Sequence, residues 1–355
     1  MRSFVQLVPL TLLVACSPWA SFTYTVPAEY TLPDRVTVLA VVDLPEKPES
    51  DAAADAMVDV LTNAPNLKVI APAASRQALA ATPLVRGEPL GADKVQAVTK
   101  GANASGVLAL DRVEVADDVT FEERVETTTQ IVRERPAGCS NCNPEEKEVQ
   151  IDKPVVYAHR TATVTTGWQI YAADGALLTS WSTSASAMAD GKGDDPSEAR
   201  TNAGNVTELA RSAASVAGAE AAKHIAPWTN TATRRYFKCG DSNLRAGHKL
   251  AKRGDWEGAV SLWKVAAESE DAKVRGKAKL DLAVAAERRG DVARAQDLAA
   301  EAAKLLDKDW VRAYAKVLKA REKDEARLAD QLGAEGNGPK KSKKNKKGTK
   351  GADGK

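Results

Sequence analysis

The chain has 355 residues, with 50 Lys and Arg against 48 Asp and Glu, a formal net charge of +2, and 5% aromatic residues. That length leaves room for two domains, and so even a charge balance excludes a protein that is basic overall and grips nucleic acid by charge alone. The three histidines, His159, His224 and His248, include no two at metal-ligand spacing, and no nucleophile-elbow or His-Glu-x-x-His motif occurs.

Residues 1–15 read as a signal peptide, since Arg2 precedes an apolar stretch of h-region length that is too short to span a bilayer. The stretch ends in Leu13-Val14-Ala15-Cys16, which resembles the lipobox of bacterial lipoproteins. The resemblance implies cleavage before Cys16, acyl chains such as palmitate on that residue, and stable anchoring at a membrane surface. The plainer alternative is an ordinary secretory signal with a chance cysteine. Ser17 follows the cysteine where an aspartate would signal retention, and by analogy with enterobacterial sorting this directs the chain to the outer membrane, facing the periplasm. Residues 16–33, with Pro18, Pro27 and Pro33, read as the lipidated cysteine and a short extended tether.

A first folded domain is expected over residues 34–228. Residues 35–43 are a β-branched apolar run suited to one buried strand. A helix follows at 52–61, a strand at 67–70, helices at 73–80 and 92–101, and a third strand at 105–115. The pattern then changes to long Thr- and Val-rich segments at 121–133, 149–171 and 176–186, which predict an antiparallel meander. Asp174-Gly175 is a strong hairpin turn between the last two. In residues 121–133 neither alternate phase is apolar enough to face hydrocarbon, so this hairpin is expected to be a water-exposed arm and not the wall of a pore. Asp195-Pro196-Ser197-Glu198 predicts the capped start of one long helix running to about His224, and residues 190–195 before it read as a solvated turn.

The order β-α-β-α-α-β, then β-β-β-α, behind a lipobox resembles the α/β domain of curli-secretion lipoproteins and of outer-membrane lipoprotein activators of penicillin-binding proteins. The resemblance is carried by the strand from Val36 to Asp43, by Lys100-Gly101-Ala102-Asn103-Ala104-Ser105-Gly106-Val107 and by the element order.

A second domain is expected over residues 229–332. Gly254-Asp255-Trp256-Glu257-Gly258-Ala259 matches Gly290-Asp291-Val292-Ala293-Arg294-Ala295 at a spacing of thirty-six residues, near the tetratricopeptide period. In each copy Gly should end one helix in a left-handed cap, Asp should cap the next, and Ala259 or Ala295 should sit where two helices touch. A terminal helix with Trp310, Ala313, Tyr314, Val317 and Leu318 on one face would cap the array. With Ile225-Ala226-Pro227-Trp228 and Arg234-Arg235-Tyr236-Phe237, the layout resembles an uncharacterised family of bacterial lipoproteins that joins a curli-type α/β domain to C-terminal tetratricopeptide repeats. The expected class is therefore α+β: a three-layer-like α/β domain with a mixed sheet and a long antiparallel hairpin, followed by all-α helical hairpins. Residues 333–355, with Lys340, Lys341, Lys343, Lys344, Lys346 and Lys347, cannot build a core and are expected to be a disordered tail that solubilises or contacts anionic lipid or a wall polymer.

Cys139-Ser140-Asn141-Cys142 sits in a Pro/Gly turn at the tip of the arm, where a local disulfide, half of a shared zinc site or a redox dithiol are all open. Cys239 is expected to be a small buried residue or a free thiol. No cofactor and no catalytic residue are expected. The expected function is protein binding by an envelope scaffold or assembly accessory. The partner would lie on the repeat face formed by Asn243, Arg245, His248, Lys249 and Lys252 with Lys279, Leu282 and Ala286. One alternative is an activator of a cell-wall synthesis enzyme; another is a thiol-disulfide or metal-dependent protein built on Cys139 and Cys142.

Overall fold

The structure, a computed structural model, describes residues 19–43, 47–79, 89–134, 137, 143 and 145–333. The chain divides into two compact units, Glu29–Ala226 and a discontinuous one made of Met1–Ala28 and Pro227–Lys355. Strand β1 (Trp19–Val26) belongs to the discontinuous unit.

In the continuous unit, β2 (Val38–Val42), β3 (Lys68–Ile70), β4 (Gly106–Glu134), β5 (Glu145–Ala172) and β6 (Leu177–Gly193) form one mixed sheet in the order β3-β2-β4-β5-β6. Strands β3 and β4 flank β2 in parallel, and β4, β5 and β6 form the predicted antiparallel meander. The apolar run of β2 is buried on both faces. Leu39 and Val41 enter a core with α1 (Pro48–Thr62), while Ala40 and Val42 enter another with α3 (Ala92–Ala102), which α2 (Pro72–Leu79) precedes. Helices thus cover both faces of the parallel part, which gives the three-layer arrangement. Each fully buried Met57 or Leu61 on α1 contributes roughly 1.5–3 kcal/mol through its apolar side chain.

The predicted helix after Asp195 is two helices. Asp195 caps α4 (Pro196–Asn202) by accepting from the Ser197 and Glu198 amides at 2.8 and 2.9 Å. The chain then breaks at Gly204, whose φ of +86° suits glycine. Asn205 restarts it by capping α5 (Val206–Ala222) on the Thr207 amide. Of the stretch read as a solvated turn, residues 190–193 are instead the end of β6, and only Asp194 and Asp195 form an exposed bend: Gly191 and Gly193 let α4 lie directly on the strand, and a Cβ on Gly191 would come within 2.1 Å of the Ala199 carbonyl. Helix α5 meets α1 as closely, since a Cβ on Gly218 would come within 2.1 Å of the Ala53 carbonyl. The two ends of this unit are tied together, with the Tyr30 amide donating to the His224 carbonyl at 2.7 Å and Glu29 paired with the His224 ring at 2.8 Å.

In the discontinuous unit, β1 pairs antiparallel with β7 (Trp228–Arg235) from Trp19 opposite Arg235 to Val26 opposite Trp228. Residues 19–26 are therefore a strand within a folded unit and not part of an extended tether, because alternate residues of β1 face inward and Ala20 joins the helical core. Five helices follow: α6 (Ser242–Lys252), α7 (Trp256–Ala267), α8 (Ala272–Arg288), α9 (Val292–Leu305) and α10 (Asp309–Gln331). As the repeat predicted, Gly254 and Gly290 take φ of +88° and +83°, Asp255 and Asp291 cap α7 and α9, and Ala259 and Ala295 are fully buried. The inward row of α10 differs from the predicted one. It is Val311, Tyr314, Leu318 and Arg321, with Ala313 and Val317 exposed.

Candidate protein-binding surfaces

The residues expected to form one face on the helical hairpins do not share a surface. On α6, Arg245, Lys249 and Lys252 are exposed and Asn243 is half-buried. His248 on the same helix lies 5.4 Å from the Tyr236 ring, in a cluster that Trp256 and Trp263 complete. Burial, with Lys252 and Lys238 nearby, holds its imidazole below the usual range. On α8, Lys279 is bonded to Glu301, whereas Leu282 and Ala286 are buried at 8% and 0% exposure and cannot touch a partner. The reason is local: the second half of α8 is covered on all sides, and every residue from Leu280 to Glu287 is buried.

Part of that cover is the β1–β7 sheet and the segment that leaves it. The Phe237 amide donates to the Asp281 carboxyl at 2.7 Å, and Arg234 donates twice to Glu287 at 2.9 Å. Glu287 has no exposed side-chain surface, and it also accepts from Tyr314 at 2.7 Å and Arg321 at 2.6 Å. Burial alone would raise its pKa, but the bonds from Arg234, Tyr314 and Arg321 outweigh it and hold the carboxyl below the usual range. The Arg321 guanidinium lies 3.9 Å over the ring of Tyr24 on β1, a cation–π contact that ties the strand to α10. Beside it a cavity of about 230 Å³ is lined by Tyr24, Trp228, Arg321, Asp324 and Glu325. Further along, Arg327 and Gln331 bond the backbone of Ala28. Sequence reading missed Asp281, Glu287 and Arg321. The signal for the first two was an acid at each end of the otherwise apolar run from Leu280 to Glu287.

The predicted arm is real and longer than expected. One continuous β4 pairs with β5 from Gly106 opposite Ala172 to Glu134 opposite Glu145, with a single bulge at Asp111. Strand β6 ends where Val156 meets Gly193, so beyond Glu123 opposite Val156 the hairpin is two-stranded. At about 3.4 Å per residue, that outer part extends roughly 35 Å. Alternate positions place Phe121, Val125 and Ile131 on one face, with Val125 and Ile131 exposed at 69% and 64%. The other face carries charge pairs: Arg124 bonds Glu122, and Glu126 accepts from Lys192 and Tyr157. His159 joins them through Asp190 at 2.7 Å and Glu122 at 3.7 Å, partners that only strand pairing brings close. The Asp190 bond, with Glu122, raises its pKa.

His224, stacked between Tyr30 and Trp181, is a structural group at the tied ends of the continuous unit. Cys239 is an exposed free thiol, because it lies in the uncovered loop before α6, so the buried alternative does not hold. Cys16, Cys139, Cys142 and the tail lysines Lys340, Lys341, Lys343, Lys344, Lys346 and Lys347 lie outside the described residues. Among the described residues no group of three or more His, Cys, Asp or Glu is arranged to hold a metal ion, and no helix is long and apolar enough to cross a membrane.

Residues 40–237, more than half of the chain, match the family described as Domain of unknown function (DUF8603), and the chain belongs to that family. Residues 245–323, which span α6 to the middle of α10, match Domain of unknown function (DUF6340). Neither a curated protein nor a solved structure matches the chain.

Proposed function

We propose that this member of the DUF8603 family is a lipid-anchored scaffold of the bacterial cell envelope, held through Cys16 at the periplasmic face of the outer membrane, that binds another envelope protein through its arm. The supporting observation is the two-stranded outer half of β4 and β5, where Val125 and Ile131 lie exposed on one face and, among the described residues, no third strand pairs; Phe121 continues that face just inside it. Isolated two-stranded hairpins are marginal in water, and exposed large apolar side chains on such a hairpin suit it to a partner. The helical hairpins offer a weaker surface, because Leu282 and Ala286, which were expected to be accessible, are buried in their core. The lysine-rich tail is a second, salt-sensitive contact to anionic lipid or a wall polymer.

A photoreactive residue placed at Val125 or Ile131 tests the reading in intact cells, with Arg245 and Lys249 on α6 as comparison sites. The expected result is one discrete adduct from each arm position, with the Val125 adduct lost when Glu126 is joined to Lys153 by a short turn. Adducts from α6 alone, or none from the arm, would overturn it. If the captured protein is a cell-wall synthesis enzyme, the scaffold is its activator. Palmitate labelling that disappears in Cys16→Ser, together with membrane fractionation, tests the anchor separately.

A further inference from the structure

Among the described residues, the sheet of the continuous unit has two long edges to which no further strand pairs, and they are built in opposite ways. Beyond its short pairing with β2, the outer edge of β4 starts at Asp111, and six of its first twelve residues, Asp111, Arg112, Glu114, Asp117, Asp118 and Glu122, are charged. Charge of that density is how proteins keep an edge from recruiting another strand. The other edge is β6, the last strand of the sheet, and among the described residues no strand pairs with its outer side. None of the twelve residues from Leu178 to Ala189 is charged and none is proline, and the pairing with β5 is regular from Thr179 onward. An unguarded flat edge of this length on the same sheet as a guarded one is a template for strand addition.

We infer that β6 pairs antiparallel with β6 of a second copy of this chain, about a two-fold axis at Ser184, to make one continuous sheet across two molecules. The sequence of the edge is self-complementary in that register. On the face covered by α4 and α5, Thr179, Trp181 and Thr183 each stand opposite an alanine, Ala189, Ala187 and Ala185 respectively, so larger side chains meet small ones. On the open face Ser184 meets its symmetry mate and Ser182 meets Ser186. That continues the hydroxyl ladder already formed inside the sheet, where Thr163 bonds Ser186 and Thr165 bonds Ser184, both at 2.8 Å. The nearest charge, Asp190, falls opposite Leu178, so no like charges are opposed. A two-fold interface uses the same patch on both copies, which is the symmetry such an edge requires.

The test is the mass of the full chain in mild detergent by light scattering, on three proteins. The unaltered chain is expected to be a dimer. Ser182→Lys with Ser186→Lys changes two exposed positions and sets lysine against lysine twice across the axis, which raises the dissociation constant by more than about tenfold and gives monomers. Ser182→Lys with Ser186→Glu sets opposite charges against each other in the same register and restores the dimer. Circular dichroism that is unchanged in both variants excludes unfolding as the cause. A monomeric unaltered chain, a dimer that survives the double lysine change, or failure of the lysine–glutamate variant to dimerise would each overturn the inference.

Discussion

Two acids on one helix respond to pH in opposite senses. Asp281 is fully buried and accepts one amide bond, from Phe237, so burial pushes its pKa well above the usual range. A carboxyl raised in this way supports the fold in its protonated form, and that support is lost as pH rises from about 4 through the raised value. Asp281→Asn keeps the shape and removes the titration. Denaturant unfolding of the variant should depend less on pH, with stability above the unaltered chain's on the alkaline side of that window. Glu287 is lowered, so its contribution is present above about 4.3 and fades as pH falls through the lowered value. Glu287→Ala leaves Arg234 and Arg321 facing each other with only Glu325, 3.7 Å from Arg321, as a counter-charge and should cost about 3–5 kcal/mol in the same measurement. A loss below about 1 kcal/mol would mean that water replaces the carboxylate.

At the scale of elements, the helices of the continuous unit are set by glycines placed where backbones meet. Gly218→Ala forces a methyl group into the Ala53 carbonyl and should destabilise the unit by about 1–3 kcal/mol, read as a lower melting temperature. An unchanged melting temperature would show that α5 can shift away from α1 without loss. The arm has the reverse character. Its outer half buries little, so shortening it by joining Glu126 to Lys153 should leave the melting temperature of the unit nearly unchanged while removing the surface proposed to bind a partner.

For the whole molecule, the strand β1 is the element whose role departs most from its sequence. Removing residues 17–28 would be harmless if they were a tether. Because β1 pairs along all of β7 and Tyr24 holds Arg321, the deletion should instead expose the helices to limited proteolysis and lower their melting temperature. The α+β class, the mixed sheet, the arm and the Gly-Asp turns of the helical hairpins were legible, since β-branched runs, the Asp-Gly turn and the thirty-six-residue spacing are local signals. The strand β1 was not, because its partner β7 lies about 200 residues further along the chain and three prolines around it suggest extended, unpaired backbone. The break at Gly204 was hidden inside an alanine-rich run, and the buried face of α8 was read as exposed because burial on every side leaves no amphipathic stripe.

The discontinuity of the helical unit carries a consequence for the order in which the protein is made. A chain emerging from its N-terminus presents β1 about 200 residues before β7, too early to be paired. Bringing ends together across a flexible loop that long costs about 2 kcal/mol more than across 20 residues. The continuous unit removes that handicap once it folds, because Tyr30 and Glu29 are then locked to His224 and the two strands leave from neighbouring points. The expected order of folding is therefore that the inserted unit closes first and so brings β1 and β7 together. A lesion confined to the Glu29–His224 tie should therefore slow the maturation of a unit to which neither residue belongs.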